Sequence, residues 1–226
     1  DDVGGINGDC RLAYQFESAG EYLIEIRDIS YRGGGNHRYR LRIGDFPLAS
    51  VAYPLGLQRG ATAPLSIVGP TWNEPRFTAS VAADKQSGPT PMGAAYPDGQ
   101  GSAAVVVVAS NAVENVEFEP NDAAETASPI QVPGAINGRF GAESDRDHYT
   151  FNATKGQRLV FTGQTRSLGS PADLYVHVYK PDGGQIAEVD DTGTEEGVLN
   201  VTFPEDGTYR LMVEDLNRRG GPEFVY

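Results

Sequence analysis

The sequence lacks several features that mark whole classes of protein. It has a single cysteine, Cys10, in 226 residues, which excludes a disulfide scaffold and a cysteine-ligated zinc site, so we expect Cys10 to be a passive small side chain. The longest apolar run, residues 103–109, has the length of a strand, so no segment is predicted to cross a membrane as a helix.

Positive charge is also scarce. The chain carries 31 acidic and 18 basic side chains, a net charge of -13, and this excludes the basic face on which nucleic-acid binding depends. The acid is concentrated in residues 113–226, with 20 acidic against 9 basic side chains. Such an excess either serves solubility or is neutralised by a bound cation, and charge alone leaves both open.

Catalytic motifs are missing as well. The three histidines, His37, His148 and His177, stand in no triad or metal-ligand spacing, and no nucleophile elbow, zinc-protease, phosphate-loop or dinucleotide motif occurs. The sequence therefore predicts a chain that is not an enzyme.

An internal repeat is present instead. At an offset of 187 residues, a window of 24 residues near the start matches the end of the chain without a gap, with eight identities. The identical positions are Phe16, Gly20, Tyr22, Asp28, Arg32, Gly33, Gly34 and Tyr39, which fall on Phe203, Gly207, Tyr209, Asp215, Arg219, Gly220, Gly221 and Tyr226. The shared unit is predicted to be a turn, a strand, a glycine-rich loop and a second strand.

This repeat and the spacing of short strands predict an all-β chain of β-sandwich or jelly-roll modules in tandem. Residues 1–46 are interpreted as the C-terminal half of one sandwich, residues 47–116 as a small linker sandwich, and residues 117–226 as a second sandwich lacking only the end of its last strand. We expect the chain to be a window on a longer array, and residues 1–46 to need strands from elsewhere. Within the linker, residues 87–91 are interpreted as a proline- and glycine-rich break between strands.

One acidic constellation stands out. Residues 117–122 place Glu117, Glu119, Asn121 and Asp122 close together, and Asp145 and Asp147 follow about 23 residues after this segment. Carboxylate and amide oxygens are the ligands that Ca²⁺ prefers, and alternate residues of an extended segment project to one side. On spacing alone, a calcium site and a solvated linker both remain possible.

A second candidate site is aromatic. Tyr175, His177 and Tyr179 alternate with Leu174, Val176 and Val178, so one face of this strand is aromatic and the other aliphatic. Either face of a sandwich strand can point inward. The aromatic face is therefore a candidate ligand-binding surface or part of the core.

Four motifs together resemble the bacterial pre-peptidase C-terminal domain, a β-sandwich attached to many secreted peptidases and surface proteins and related to clostridial collagen-binding domains. They are residues 119–122 (EPND), 137–140 (NGRF), 145–151 (DRDHYTF) and 206–209 (DGTY). Residues 47–116 resemble, more weakly, an immunoglobulin-like domain of the IPT/TIG type, through Tyr53-Pro54-Leu55-Gly56 and Arg59-Gly60-Ala61.

The resemblance implies a structural Ca²⁺ held by Glu117, Glu119, Asn121, Asp122, Asp145 and Asp147. The later aspartates are spaced more closely than in the relatives, which leaves Asp145 the least secure ligand. The resemblance further implies a secreted, periplasmic or cell-surface location. The implied function is a non-catalytic structural or adhesive module, whose partners are other domains of the same polypeptide, neighbouring chains, or extracellular protein or glycan. The alternative is a substrate-binding accessory domain of a secreted peptidase or other hydrolase.

Overall fold

The chain is built from β-strands, as the sequence predicts. The computed structural model describes residues 12–45, 48–69, 76–95, 102–190 and 197–226, so Cys10 lies outside the described residues. The only helical elements in these ranges are two single 3₁₀ turns, at Ala124–Thr126 and Arg166–Leu168. None of the described helices is long and apolar enough to cross a membrane.

The strands of the middle region form two three-stranded sheets. The region contains β1 (Val51–Tyr53), β2 (Gly56–Gln58), β3 (Thr62–Val68), β4 (Arg76–Ser80), β5 (Gly88–Ala95) and β6 (Ser102–Ser110). One sheet has the order β1-β3-β4 and the other has the order β2-β6-β5. Buried side chains from both sheets, among them Ile67, Ala52, Val105 and Val107, form one apolar core.

The interpretation of residues 87–91 as a break between strands was wrong. Gly88–Ala95 forms β5, which pairs antiparallel with β6 along its whole length. Pro89 and Pro91 fit because β5 is the edge strand of its sheet, and residues two apart direct their backbone nitrogens to the same side. The backbone nitrogens of Pro89 and Pro91 therefore point away from β6, and no hydrogen bond between the two strands is lost.

The C-terminal region is a larger sandwich. It contains β7 (Glu114–Val116), β8 (Ser128–Pro129), β9 (Ala135–Asn137), β10 (Arg146–Ala153), β11 (Arg158–Thr162), β12 (Leu174–Tyr179), β13 (Gln185–Asp190), β14 (Val198–Thr202) and β15 (Gly207–Asp215). A five-stranded sheet has the order β13-β12-β15-β10-β8, and β11 pairs with β14 in a second sheet. The aromatic side chains of Phe151, Phe161, Phe203 and Tyr209 pack against each other in its core.

β15 lies at the centre of the five-stranded sheet. It pairs antiparallel with β10 on one side and with β12 on the other. Tyr209, Leu211 and Val213 alternate along β15 and are all buried in the core. This alternation fixes which face of β15 points inward.

The middle and C-terminal regions are packed against each other. Val51, Leu55, Val68 and Val106 of the middle region share one buried apolar cluster with Leu168 and Val225 of the C-terminal region. Beside it, the Gly56 backbone N–H donates to Asn137 Oδ1 at 2.7 Å, and Asn137 Nδ2 donates to Glu114 Oε2 at 2.8 Å. A Cβ atom at Gly56 would lie 2.2 Å from Glu114 Oε2, so a larger residue there would displace the Glu114 carboxylate from its contact with Asn137.

Residues 12–45 differ from both regions, because they contain turns but no strand. Most of their large apolar side chains are exposed. The division of the chain at residues 46 and 116 stays a prediction.

Candidate metal centre

The acidic residues lie where the chain enters the C-terminal sandwich. Residues 117–122 follow β7, and the His148 N–H of β10 donates to the Asn121 carbonyl at 2.9 Å. Asp147 lies on β10 and Asp145 directly precedes that strand. Pairing of the entering segment with β10 therefore brings residues about 25 positions apart in the chain to one place.

Five of the six predicted ligands come together in two overlapping groups. Glu117, Glu119 and Asp147 form one group, and Glu119, Asp122 and Asp145 form the other. Within each group, one carboxylate oxygen per residue lies within 4.8 Å of the others. Glu119 belongs to both groups, so the five carboxylates form one continuous cluster.

Asn121, the sixth predicted ligand, is fully buried next to this cluster in the chain. Its backbone N–H donates to Glu119 Oε2 at 2.8 Å, but neither of its side-chain polar atoms has a hydrogen-bond partner in the described part of the chain. Oδ1 of the fully buried Asp147 is also without a partner among these residues. Buried polar atoms are nearly always paired, so these three atoms need a further partner.

Burial and mutual repulsion raise the pKa values of three carboxyl groups in the cluster. Burial, assisted by the charges of Glu117 and Asp145, raises the pKa of Asp147 to about 8. Burial also raises the pKa of Glu117 to about 7, and burial together with Asp122 and Glu119 raises the pKa of Asp145. A cation among these carboxylates would oppose each of these effects, because it favours the ionised form.

Three tyrosine hydroxyls are hydrogen-bonded to the carboxylates of the cluster or to one another. Tyr226 donates to Asp147 Oδ2 at 2.6 Å, and the hydroxyls of Tyr226 and Tyr149 lie 2.7 Å apart. Tyr53 of the middle region donates to Glu117 Oε1 at 3.0 Å. Sequence reasoning missed all three, since Tyr53 and Tyr226 are 64 and 79 residues from their acidic partners. For Tyr226, its identity with Tyr39 in the repeat was the available signal.

The donor set fits a hard cation. It consists of carboxylate and amide oxygens without sulfur, which is the chemistry of Ca²⁺ sites. Glu117 is already held by Tyr53 and by the backbone N–H of Arg139, 2.8 Å from its Oε2. Such second contacts orient ligating carboxylates. The arrangement can hold a metal ion, and it includes no nucleophile beside a base.

The aromatic residues of β12 lie on the opposite side of its sheet from the core. Val178 and Leu174 are buried in the core, so Tyr175, His177 and Tyr179 occupy the outer face. None of the three belongs to the hydrophobic core cluster, although His177 is itself buried between the two tyrosines.

The three aromatic rings form a row. The ring centroids of Tyr175 and His177 are 4.0 Å apart, and those of His177 and Tyr179 are 6.2 Å apart. The His177 ring nitrogens lie 3.4 Å from Glu188 and 3.5 Å from Glu214. The outer face is thus aromatic with a border of both charges, because the Arg210 guanidinium lies 4.5 Å from the Tyr179 ring centroid and Arg146 pairs with Glu214.

This sandwich has a recognisable relative. Residues 145–215 match the family model of the bacterial pre-peptidase C-terminal domain. The match runs from Asp145 to the end of β15, so it includes Asp145, Asp147 and the aromatic row, whereas residues 117–122 precede it. The resemblance found in the sequence motifs is confirmed for this stretch.

One curated protein is also similar. A probable subtilase-type serine protease of Deinococcus radiodurans is 28% identical over 103 residues, which is 44% of this chain and 14% of that protein. The chain thus spans about one seventh of the length of this relative.

Proposed function

We propose that the C-terminal sandwich is a calcium-stabilised, non-catalytic accessory module of a secreted multidomain protein. Ca²⁺ would be held by Glu117, Glu119, Asp147, Asp122 and Asp145, with Asn121 as a neutral ligand. Its role is structural, because the cluster joins the segment entering the sandwich to β10 of the five-stranded sheet.

The unpartnered buried atoms of Asn121 and Asp147 carry this proposal. Raised carboxylate pKa values alone would also fit a cluster that simply binds protons. A proton on Asp147 would leave the Asn121 side chain without a partner. A cation would account for one oxygen of each residue, because it takes Asn121 Oδ1 and Asp147 Oδ1 as ligands, whereas Asn121 Nδ2 needs a separate acceptor.

The accessory role rests on the two similarities. The matched family model describes a domain placed C-terminal to peptidases, and the Deinococcus radiodurans relative is named as a probable subtilase-type protease. We infer that this chain works beside a hydrolase or as part of a surface protein, outside the cytoplasm. Residues 47–116 would then act as an immunoglobulin-like spacer.

A calcium titration of the full chain tests the metal site. We expect millimolar Ca²⁺ to raise the melting temperature relative to a chelator control, because an ion that binds only the folded state stabilises it by mass action. Mg²⁺ should be less effective, since it dehydrates reluctantly and demands octahedral geometry. The measurement is thermal unfolding followed by circular dichroism near pH 8.

Two variants make this test specific. Asp147→Asn should abolish the calcium shift without lowering the melting temperature in chelator, because it removes a charge that burial disfavours. Glu143→Gln changes an exposed carboxylate outside both groups and should keep the full shift. The calcium site is disproved if Asp147→Asn and the unchanged chain respond equally to Ca²⁺.

A second candidate function is binding of extracellular protein or glycan by Tyr175, His177 and Tyr179. The favouring observation is that Tyr175 and Tyr179 lie half buried on the outer face of the sheet, on either side of His177, which is itself buried. Sedimentation of the chain with insoluble collagen and with chitin tests it. The double variant Tyr175→Ala/Tyr179→Ala should lose binding. The control Tyr31→Ala, which changes an exposed tyrosine near the start of the chain, should keep it.

A further inference from the structure

The turns that flank residues 20–28 have the same local structure as the turns that flank β15. Asp28 Oδ1 accepts hydrogen bonds from the backbone N–H groups two and four residues later, at 2.8 and 3.1 Å, and from Arg32 Nε at 3.5 Å. Asp215 Oδ1 accepts the same three, at 3.0 and 2.9 Å from the backbone and 3.3 Å from Arg219 Nε. The turns therefore correspond bond for bond.

The aromatic corner before the strand is also repeated. The Tyr22 hydroxyl donates to the carbonyl four residues earlier at 2.6 Å, and the Tyr209 hydroxyl does the same at 2.9 Å. The rings of Phe16 and Tyr22 are 4.2 Å apart, and those of Phe203 and Tyr209 are 4.5 Å apart. Both copies thus adopt the geometry that leads into a sheet strand.

The backbone agrees even where its conformation is uncommon. Tyr31 has a positive φ of 54°, and its counterpart Arg218 has a φ of 58°. Gly34 and Gly221 have φ values of 150° and 140°. Non-glycine residues rarely adopt a positive φ, so this correspondence marks the same loop in both copies.

The surroundings of the two copies differ completely. Phe16 and Tyr22 are 55% and 50% exposed, whereas Phe203 and Tyr209 are 0% exposed. Ile24 is exposed where Leu211 is buried. Contiguous exposed apolar surface of this kind indicates an interaction site.

The glycines show what kind of contact the first copy lacks. A Cβ atom on Gly220 would lie 1.9 Å from the Ala142 carbonyl oxygen, so the sandwich requires glycine there. Gly33 stands at the corresponding position, yet no described atom outside its immediate neighbours lies within 4 Å of such a Cβ atom. In the first copy, Gly33 leaves room for another backbone segment to come equally close, but no described residue occupies that space.

We propose that residues 12–45 are the closing segment of another sandwich, and that their apolar face binds a further copy of the strand set formed here by β8 to β14. In that complex, residues 20–28 would form the central strand between counterparts of β10 and β12. Tyr22, Ile24 and Ile26 would enter the core.

The neighbours of β15 identify this occupant. β15 pairs through eight residues with β10 and through six with β12, so both of its edges are taken. A second intact copy of this chain has no vacancy, because its own β15 already fills the central position. The occupant is therefore a strand set of the same family whose central strand is missing. This inference does not depend on calcium, since residues 12–45 contain no counterpart of the carboxylate cluster.

A segment exchange within the full chain tests this proposal. Residues 203–226 are replaced by a second copy of residues 16–39, so that Tyr22, Ile24 and Ile26 take the places of Tyr209, Leu211 and Val213. We expect the exchanged chain to keep a cooperative thermal transition and the near-ultraviolet signal of packed tyrosines, because cores tolerate apolar exchanges that keep the pattern. A second variant adds Ile24→Leu, Glu25→Met, Ile26→Val and Arg38→Val to the inserted copy, which restores the native apolar side chains at the buried positions of Leu211, Met212, Val213 and Val225.

Two controls decide the outcome. Inserting residues 17–40 shifts the register by one, turns the apolar face outward and should abolish the transition. Sedimentation should show the unchanged chain as a monomer. The proposal is overturned if both exchanges in the correct register unfold, if the shifted insertion folds equally well, or if the unchanged chain forms a dimer that Ile24→Asp abolishes. The last result would make a second intact copy the occupant.

Discussion

Residues 20–28 and β15 have nearly the same sequence pattern and the same flanking turns, but only β15 is a strand. The turns match because their hydrogen bonds are local, as at Asp28 and Asp215. The strand forms only in the second copy, where β10 and β12 supply partners on both sides. In this molecule the turn is therefore a property of the segment, and the strand is a property of its neighbours.

The largest contrast is expected at the paired tyrosines. Tyr209→Ala should lower the free energy of unfolding by about 3–5 kcal/mol, because it empties a site in the aromatic core. Tyr22→Ala should change it by less than about 0.5 kcal/mol, as for an ordinary exposed residue. Urea denaturation of both variants measures the difference. Equal losses would show that residues 12–45 are buried in solution.

The paired glycines should differ next most. Gly220→Ala forces a Cβ atom against the Ala142 carbonyl, and we expect a loss of about 1–3 kcal/mol. Gly33→Ala has open space and should be neutral in the same denaturation experiment. If Gly33→Ala were as destabilising as Gly220→Ala, the first copy would already be covered.

The paired aspartates should show a related contrast. Asp215→Ala leaves partly buried backbone donors unpaired, including the Asp173 N–H that lies 2.9 Å from Asp215 Oδ2, and should cost about 1–3 kcal/mol. Asp28→Ala exposes its donors to water and should cost less than about 0.5 kcal/mol. Denaturation at pH 7 measures both, and a large loss for Asp28→Ala would contradict the contrast.

The last contrast concerns pH and the paired tyrosines at the end of the repeat. Asp147 has a pKa of about 8 in the folded chain and an ordinary value of 3.8. Between these values the folded chain binds more protons than the unfolded one. In the presence of a chelator, the contribution of Asp147 to the free energy of unfolding therefore falls as the pH rises from about 4 to 8.

Tyr226→Phe should extend that decline to higher pH, because the Tyr226 hydrogen bond lowers the pKa of Asp147 against the effect of burial. Tyr39→Phe should leave the pH profile unchanged, since residues 12–45 contain no aspartate that would be to Tyr39 what Asp147 is to Tyr226. Melting temperatures measured across this pH range test both variants. A profile that moves equally in both would contradict the role of Tyr226.

Local pattern was enough to predict much of this fold. The alternation along β12 identified its two faces, and the repeat identified the segment that becomes β15. The edge strand β5 was missed because its prolines exclude a central strand, and the sequence does not show which strands lie at an edge. Glu117, Glu119 and Asp122 are close in the chain, so their clustering was predictable, and the family resemblance supplied Asp145 and Asp147. Tyr53 reaches Glu117 only through the packing of two sheets, for which the sequence holds no signal.

The contact between Gly56, Asn137 and Glu114 has a consequence for the reach of the molecule. A flexible tether between modules spans a distance that grows only with the square root of its length. Here a buried amide and an apolar cluster hold the two regions together instead. The distance between the far ends of these two regions is therefore set by their packing, so a force applied to one of them is passed directly to the other.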